Sequence, residues 1–213
     1  GVPFRTVPRL ADVLEGRSLP GQLKEVAIED LLGRQPLNPD WKAIRNWLGA
    51  RSVLVTGAGG SIGTELCRQC ARHGAKRIAL LEIDELALLT VEADLRRDFP
   101  GIECLPVLGD AGDPAVIAHA LAIAEPEAVF HAAAYKQVPL LQRQLREAVR
   151  NNILVTDVVA RASRDAGVGT FVLISTDKAV DPVNVLGATK RLAEMVCQGL
   201  VDPRSTRMVT VRF

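Results

Sequence analysis

Neither sign of charge dominates this sequence. Its 26 Lys and Arg balance 25 Asp and Glu, giving a formal net charge of +1, and no basic block stands out. That argues against a nucleic-acid partner, because gripping a phosphate backbone takes a concentrated basic footprint. Long apolar runs are missing too: stretches such as Ala128 to Tyr135 fall far short of the roughly 20 residues that span a bilayer. The start, Gly1-Val2-Pro3-Phe4-Arg5, has no apolar segment of the signal-peptide kind, so the chain is expected to be soluble. Cysteines are few: Cys67, Cys70, Cys104 and Cys197. The first two form a C-x-x-C, but no second pair follows at zinc spacing and His73 is a lone further candidate. No metal site is expected, and reduced cysteines on a partly buried helix fit a reducing cytosol. No internal repeat or low-complexity tract is present.

The 213 residues, 48% of them hydrophobic, suffice for one substantial core and an appendage. Residues 1–48 read as an N-terminal arm or linker, punctuated by Pro3, Pro8, Pro20, Pro36 and Pro39. Glu25 to Leu32 and Pro39 to Leu48 are its candidate helical turns. The second places Trp41, Ile44, Trp47 and Leu48 on one face, with the tryptophans expected to pack against the main core. From residue 49 onward the pattern is regular. The apolar run Val53-Leu54-Val55-Thr56 breaks at Gly57-Ala58-Gly59-Gly60-Ser61-Ile62-Gly63, and a helical pattern runs from Ile62 to about His73, closed by Gly74. A strand, a glycine turn and a helix, with Gly57, Gly60 and Gly63 spaced G-x-x-G-x-x-G, form a dinucleotide fingerprint. Such glycines permit a tight turn, let backbone N–H groups approach a pyrophosphate, and let the helix pack close to the strand. Ser61 and Ile62 open the helix, whose N-terminal dipole favours phosphate.

Strands are predicted at Arg77–Leu81, Glu103–Leu108, Ala128–His131, Thr170–Ile174 and from Met208 to Arg212. Helices are predicted at about Glu85–Arg97, Pro114–Ala124 after an Asp113 cap, Leu141–Ala166 as one long helix, and Ala188–Gly199. The alternation implies an α/β fold, a doubly wound parallel sheet over residues 49–213. Ligands of such a sheet lie beyond the carboxyl ends of its strands. There, Glu82, 19 residues after Gly63, suits a ribose 2′-hydroxyl and would repel a 2′-phosphate, which favours NAD over NADP. Asp84 is a less well placed rival. Asp110 could meet the adenine amino group, and the small Ala132 and Ala133 after His131 let a cofactor lie close. His131 itself reads as a core histidine. The fifth strand ends in Ser175-Thr176-Asp177-Lys178, a hydroxyl, an acid and an amine in series, and Lys190 follows on the next helix. Lys190 could hold the nicotinamide ribose and lower the pKa of nearby acids.

These motifs resemble a known family. Thr56 to Gly63, His131-Ala132-Ala133-Ala134-Tyr135-Lys136, Ser175-Thr176-Asp177-Lys178-Ala179-Val180 and Asn184-Val185-Leu186-Gly187-Ala188-Thr189-Lys190-Arg191 look like the extended short-chain dehydrogenase/reductases. More closely, they resemble the CapD-like or WbpM-like nucleotide-sugar 4,6-dehydratases of polysaccharide biosynthesis. The likeness covers about Val26 to Phe213. It implies bound NAD or NADP and a UDP-N-acetylhexosamine substrate, most often UDP-GlcNAc, in capsule or O-antigen synthesis. Hydride leaves C4, a base takes the C5 proton, the C6 hydroxyl departs as water, and hydride returns to C6.

By position, Asp177 matches the acid, Lys178 the C5 base, Thr176 the reductase Ser/Thr and Lys190 the reductase lysine. Lys136 falls in the substrate-side loop and Asn152 near the nicotinamide end. Lys178, beside Asp177, is the lysine expected to have a shifted pKa. Leu186 stands where the superfamily's Tyr-x-x-x-Lys has its tyrosine, so removal of the C4 hydroxyl proton passes to another group, Asp177 or Lys190 through water. Family members continue past this chain's last strand into the part that grips the uridine diphosphate, so the chain is expected to be a cofactor half that can bind NAD(P) without turnover. Full-length relatives have transmembrane helices, which implies a parent on the cytoplasmic face of the bacterial inner membrane, in contact with membrane only through segments absent here. A homo-oligomer is left open. So are an epimerase on the same fold and a non-catalytic NAD-binding module.

Overall fold

The structure, a computed structural model, describes the backbone of residues 5–6 and 24–25 and the whole of residues 39–213. The chain divides into two units, Gly1–Trp41 and Lys42–Phe213, whereas the sequence pattern put the boundary at residue 48. In the first unit, Arg5–Thr6 pairs antiparallel with Lys24–Glu25. Glu25, expected to start a helix, is therefore extended, and the rest of that expected helix lies outside the described residues.

Helix α1 (Trp41–Leu48) carries the two tryptophans. They do not pack into the core as expected: Trp41 is 46% and Trp47 37% exposed, while Leu48 is buried. The α1 residue that enters the core is the aliphatic one at its end, and the Trp47 ring lies under the Arg51 guanidinium at 5.5 Å.

The second unit alternates strands and helices. Its strands are β1 (Ser52–Thr56), β2 (Arg77–Glu82), β3 (Glu103–Leu108), β4 (Ala128–His131), β5 (Thr170–Ile174) and β6 (Arg207–Val211). All pair in parallel, in the order β3-β2-β1-β4-β5-β6. The order reverses between β1 and β4, and that switch point opens a crevice beyond the strand ends. Alternate residues of each strand serve two cores. Leu54, Ala79, Leu81, Phe171 and Leu173 pack on one face with Ile117, Val159 and Ala193. Val53, Val55, Ile78 and Leu80 pack on the other with Cys67, Cys70 and Leu95. Continuous apolar strands follow from this two-sided burial. The four cysteines are free thiols in these cores, as expected. Burial pushes Cys70 up to about 12 and Cys197 to about 11, so both stay protonated and inert.

The covering helices are α2 (Ser61–Arg72), α3 (Glu85–Asp98) and α4 (Pro114–Ala124), the last capped by Asp113, which accepts from the Ala115 N–H at 2.8 Å. The long helix predicted over Leu141–Ala166 runs unbroken from Leu145 to Asp165, as α6 (Leu145–Val149), a π-helical turn Arg150–Leu154 and α7 (Val155–Asp165), after a separate short α5 (Val138–Leu141). The extra residue per turn turns Asn151 and Asn152 together toward one backbone group, which apolar periodicity cannot register. The last helix, α8 (Val185–Gly199), starts three residues before the predicted Ala188, because the Asn184 side chain caps it by accepting from the Gly187 N–H at 2.9 Å. Among the described residues, no helix is long and apolar enough to cross a membrane, and no cluster suits a metal ion.

Candidate active site

The glycine loop is built by close approach. Gly57 has φ +67°, and a Cβ there would lie 2.7 Å from the Ala133 nitrogen. A Cβ on Gly63 would lie 2.0 Å from the Gly57 carbonyl oxygen. Gly60, in extended conformation at the N-cap of α2, has no such clash, with only the Gly57 oxygen at 3.3 Å. No side chain caps α2, so the N–H groups of its first turn, at Ser61, Ile62 and Gly63, have no capping partner. Gly59 was not singled out from sequence. It is glycine because α3 passes over it, Ala87 Cβ falling 2.5 Å from where its own Cβ would be.

Glu82, at the end of β2, reaches back to that loop. One carboxylate oxygen accepts from the Gly59 N–H at 2.9 Å, and the other from Ile83 at 2.9 Å and Asp84 at 3.2 Å. Its rival Asp84 is committed to capping α3, accepting from the Ala87 N–H at 2.8 Å. Asp110 accepts from the Gly112 N–H at 2.8 Å and lies 3.7 Å from Arg150, its side chain still 36% exposed.

His131 is fully buried between two hydroxyls, Nδ1 at 2.7 Å from Thr56 Oγ1 and Nε2 at 3.1 Å from Thr156 Oγ1. Burial, and then the nearby Lys190 charge, bring its pKa down to about 3, so it is a neutral core residue. Asn152 is also fully buried. Its carboxamide oxygen accepts from the Tyr135 N–H at 2.9 Å, and its nitrogen donates to the Tyr135 carbonyl and to Thr189 Oγ1, both at 3.1 Å. Asn152 thus braces the Ala132–Lys136 loop against α8.

Beyond β4 and β5 lies a cavity of about 340 Å³. Ile62 and Ala132 wall it on the glycine-loop side, Tyr135 and Lys136 on another, and Thr176, Lys178, Leu186 and Lys190 on a third. Asp177 stands beside it with its side chain 72% exposed. The Thr176 hydroxyl donates to the Asp177 carboxylate at 3.1 Å, and Lys178 Nζ approaches it at 3.5 Å. The hydroxyl, then the ammonium charge, hold Asp177 below the usual carboxylate range. Lys190 is 5% exposed, and desolvation brings its pKa down to about 8; the Lys178 side chain is half exposed. A larger open groove of about 950 Å³ lies at the opposite, amino ends of the strands, where Arg51 pairs with Glu127 at 3.3 Å; it gathers no comparable chemistry.

Glu194 was missed from sequence. On α8 it reads as a solvated acid, yet it is 1% exposed. It accepts from Ser175 Oγ at 2.6 Å, Arg212 Nε at 2.8 Å and Arg191 at 3.1 Å, tying the ends of β5 and β6 to the helix that carries Lys190. Arg212 first, then Ser175 and Arg191, lower its pKa from 4.5 to about 2. Since the folded value lies below the ordinary one, its contribution is complete above about pH 4.5 and is lost as pH falls toward 2. That shift is worth about 3 kcal/mol. Glu194→Gln is therefore expected to lower stability at neutral pH by about that amount and to flatten the acid limb of stability against pH, read by urea unfolding at several pH values. Equal loss at pH 2 and pH 7 would contradict the assignment.

The sequence profile of a family described as "Polysaccharide biosynthesis protein" matches residues 53–213. The capsular polysaccharide biosynthesis protein CapD of Staphylococcus aureus is 45% identical over the whole of this chain, which spans 36% of CapD. Pen from Bacillus thuringiensis superposes with a TM-score of 0.71 and 28% identity, over 78% of this chain and 51% of Pen. DesIV from Streptomyces venezuelae, a dTDP-glucose 4,6-dehydratase solved with NAD and TYD, shares the fold, with a TM-score of 0.64, 23% identity, and 75% of this chain and 54% of DesIV covered.

Proposed function

The chain belongs to this polysaccharide biosynthesis protein family, and from that premise we propose that it is the NAD(P)-binding part of a UDP-N-acetylhexosamine 4,6-dehydratase in capsule or O-antigen synthesis. The observation that carries the reading is the shared cavity. Thr176, Lys178 and Lys190 line it with Asp177 alongside, and Ile62 and Ala132 line it on the glycine-loop side. A second base and an acid next to a dinucleotide cradle are what removal of water across C5–C6 needs, whereas a simple alcohol oxidation needs only a base for the hydroxyl proton. We place this work at the cytoplasmic face of the bacterial inner membrane.

The residues fit a nicotinamide dinucleotide. Gly57 and Gly63 let the loop close against the end of β4 and the start of α2, where any Cβ would collide with backbone, and the first turn of α2 is uncapped beside it. Gly57, Gly60, Ser61, Ile62, Gly63, Glu82, Asp110, Ala132, Ala133 and Lys190 would hold the group, which when bound supplies the acceptor and donor of hydride. Lys178 takes the C5 proton, and Asp177 gives one to the departing C6 hydroxyl. The Thr176 hydroxyl holds the oxygen at C4, and Lys136 meets a phosphate or sugar hydroxyl of the substrate. Because Asp177 is held below the usual range, the proton that it donates must reach it during the reaction.

Three measurements bear on this. The Glu82 carboxylate at the ribose position is expected to make NAD⁺ bind at least about tenfold more tightly than NADP⁺ in calorimetry, and the reverse order would count against it. Leu186→Met nearly conserves volume and is expected to leave turnover within about twofold; a large gain would mean that leucine cripples the site. The double substitution Asp177→Asn with Lys178→Ala is expected to abolish polysaccharide synthesis in cells. Unchanged synthesis would favour a non-catalytic NAD-binding module.

A further inference from the structure

Leu186 and Lys190 reach the cavity one helical turn apart on α8. Leucine has no atom that can carry a proton, so the C4 hydroxyl of a substrate in this cavity must lose its proton elsewhere. Lys190 is 5% exposed, and its ammonium group makes no hydrogen bond or ion pair with any described residue. A buried, unpartnered cation is strongly disfavoured unless it meets a ligand or sheds its proton. Asp177, the other candidate, is outside the cavity lining and is already occupied by Thr176 and Lys178.

The groups around Lys190 leave its amine available. On α8 itself, Glu194 is bound to Ser175, Arg191 and Arg212, and the Cys197 thiol holds its proton up to about 11. On β4, His131 is neutral above about 3. Asp157 on α7 acts on Cys197. Lys178 and Lys136 share the cavity, and Cys197 and Glu194 favour the charged amine without outweighing its desolvation. Desolvation brings Lys190 itself to about 8, within reach of neutral pH.

We propose that Lys190, as a neutral amine, is the base that takes the C4 hydroxyl proton of the sugar, an assignment that rests on the dehydratase reading. The O–H bond breaks and an N–H bond forms on Nζ. A bound nicotinamide dinucleotide would take the C4–H electron pair as hydride, leaving C4 a ketone. The Lys190 ammonium then passes that proton to the Asp177 carboxylate, directly or through water, and Asp177 delivers it to the departing C6 hydroxyl. Both groups return to their starting state in each cycle.

Two readouts test this. In competitive acetylation of this chain between pH 6 and 10, followed lysine by lysine in the mass spectrometer, Lys190 is expected to titrate near 8, well below the exposed lysines. Titration together with the exposed lysines overturns the proposal. In the full-length protein given UDP-GlcNAc and NAD⁺, Lys190→Arg keeps the charge but offers no neutral amine, and ketone formation is expected to fall at least about 100-fold. NAD⁺ affinity is measured alongside. Small primary amines added to Lys190→Ala are expected to restore the rate in step with their basicity, which a residue that only holds the ribose would not show. Unchanged ketone formation by Lys190→Arg overturns the base assignment and leaves the dehydratase standing. A wild-type protein that binds NAD⁺ but forms no ketone overturns the dehydratase reading, and the assignment with it.

Discussion

Gly63→Ala is expected to abolish nicotinamide-dinucleotide binding and to destabilise the fold. The added Cβ would lie 2.0 Å from the Gly57 oxygen, 2.8 Å from the Gly57 carbonyl carbon and 2.9 Å from Ala58 Cα. All three are backbone atoms, so no side chain can swing aside. Helix α2 must move off the loop, and forced overpacking of this kind costs about 1–3 kcal/mol or more. The same movement carries the uncapped first turn of α2 away from the phosphates, for which a loss of at least about 100-fold in NAD⁺ affinity is expected. Gly60→Ala is the control. Its backbone is extended and its nearest neighbour is 3.3 Å away, so stability should change by less than about 1 kcal/mol while the approach to the pyrophosphate is still obstructed. Thermal unfolding and calorimetric titration of both variants separate the effects. Equal stability losses in the two would contradict the packing account.

The second large effect is Asp177→Asn. An amide cannot deliver a proton to a departing hydroxyl, and loss of a positioned general acid typically slows a reaction by about 10²–10⁴. Because the side chain is 72% exposed, neither unfolding nor NAD⁺ binding should change appreciably. The measurement is water loss from UDP-GlcNAc, with unfolding and NAD⁺ affinity followed in the same preparations. Retained water loss would remove Asp177 from the chemistry. Lost NAD⁺ binding would recast it as part of the cofactor site.

Much of this architecture was legible in the sequence because strong local signals coincide. Strands Glu103–Leu108, Ala128–His131 and Thr170–Ile174 fall where predicted, each an apolar run cut off by glycine, proline or acidic residues. Helix Pro114–Ala124 was marked at its start by Asp113 and Pro114. That the sheet is parallel followed from the alternation of strands and helices. What escaped was tertiary. The π turn at Arg150–Leu154 inserts a residue without altering composition, and it buries Asn152, which the family resemblance put near the nicotinamide end, against the backbone of Tyr135. Trp41 and Trp47 looked like core by type and spacing, but Leu48 takes that place. Glu194 could not be distinguished from a surface acid, because the arginine and serine that bury it come from other strand ends. Nor does the sequence show which lysine is enclosed: Lys178 has an acid beside it and is open to solvent, while Lys190 is buried.

The central claim is that this site removes water across C5–C6 with Lys178 in the cavity as base and Asp177 beside it as acid. The most direct measurement is incubation of the full-length protein with UDP-GlcNAc and NAD⁺ in deuterated water, with the product read by mass spectrometry and NMR. The account predicts a product lighter by one water, with solvent deuterium at C5 where Lys178 exchanged the proton. An isomer of unchanged mass, with no deuterium at C5, would contradict it and point to an epimerase.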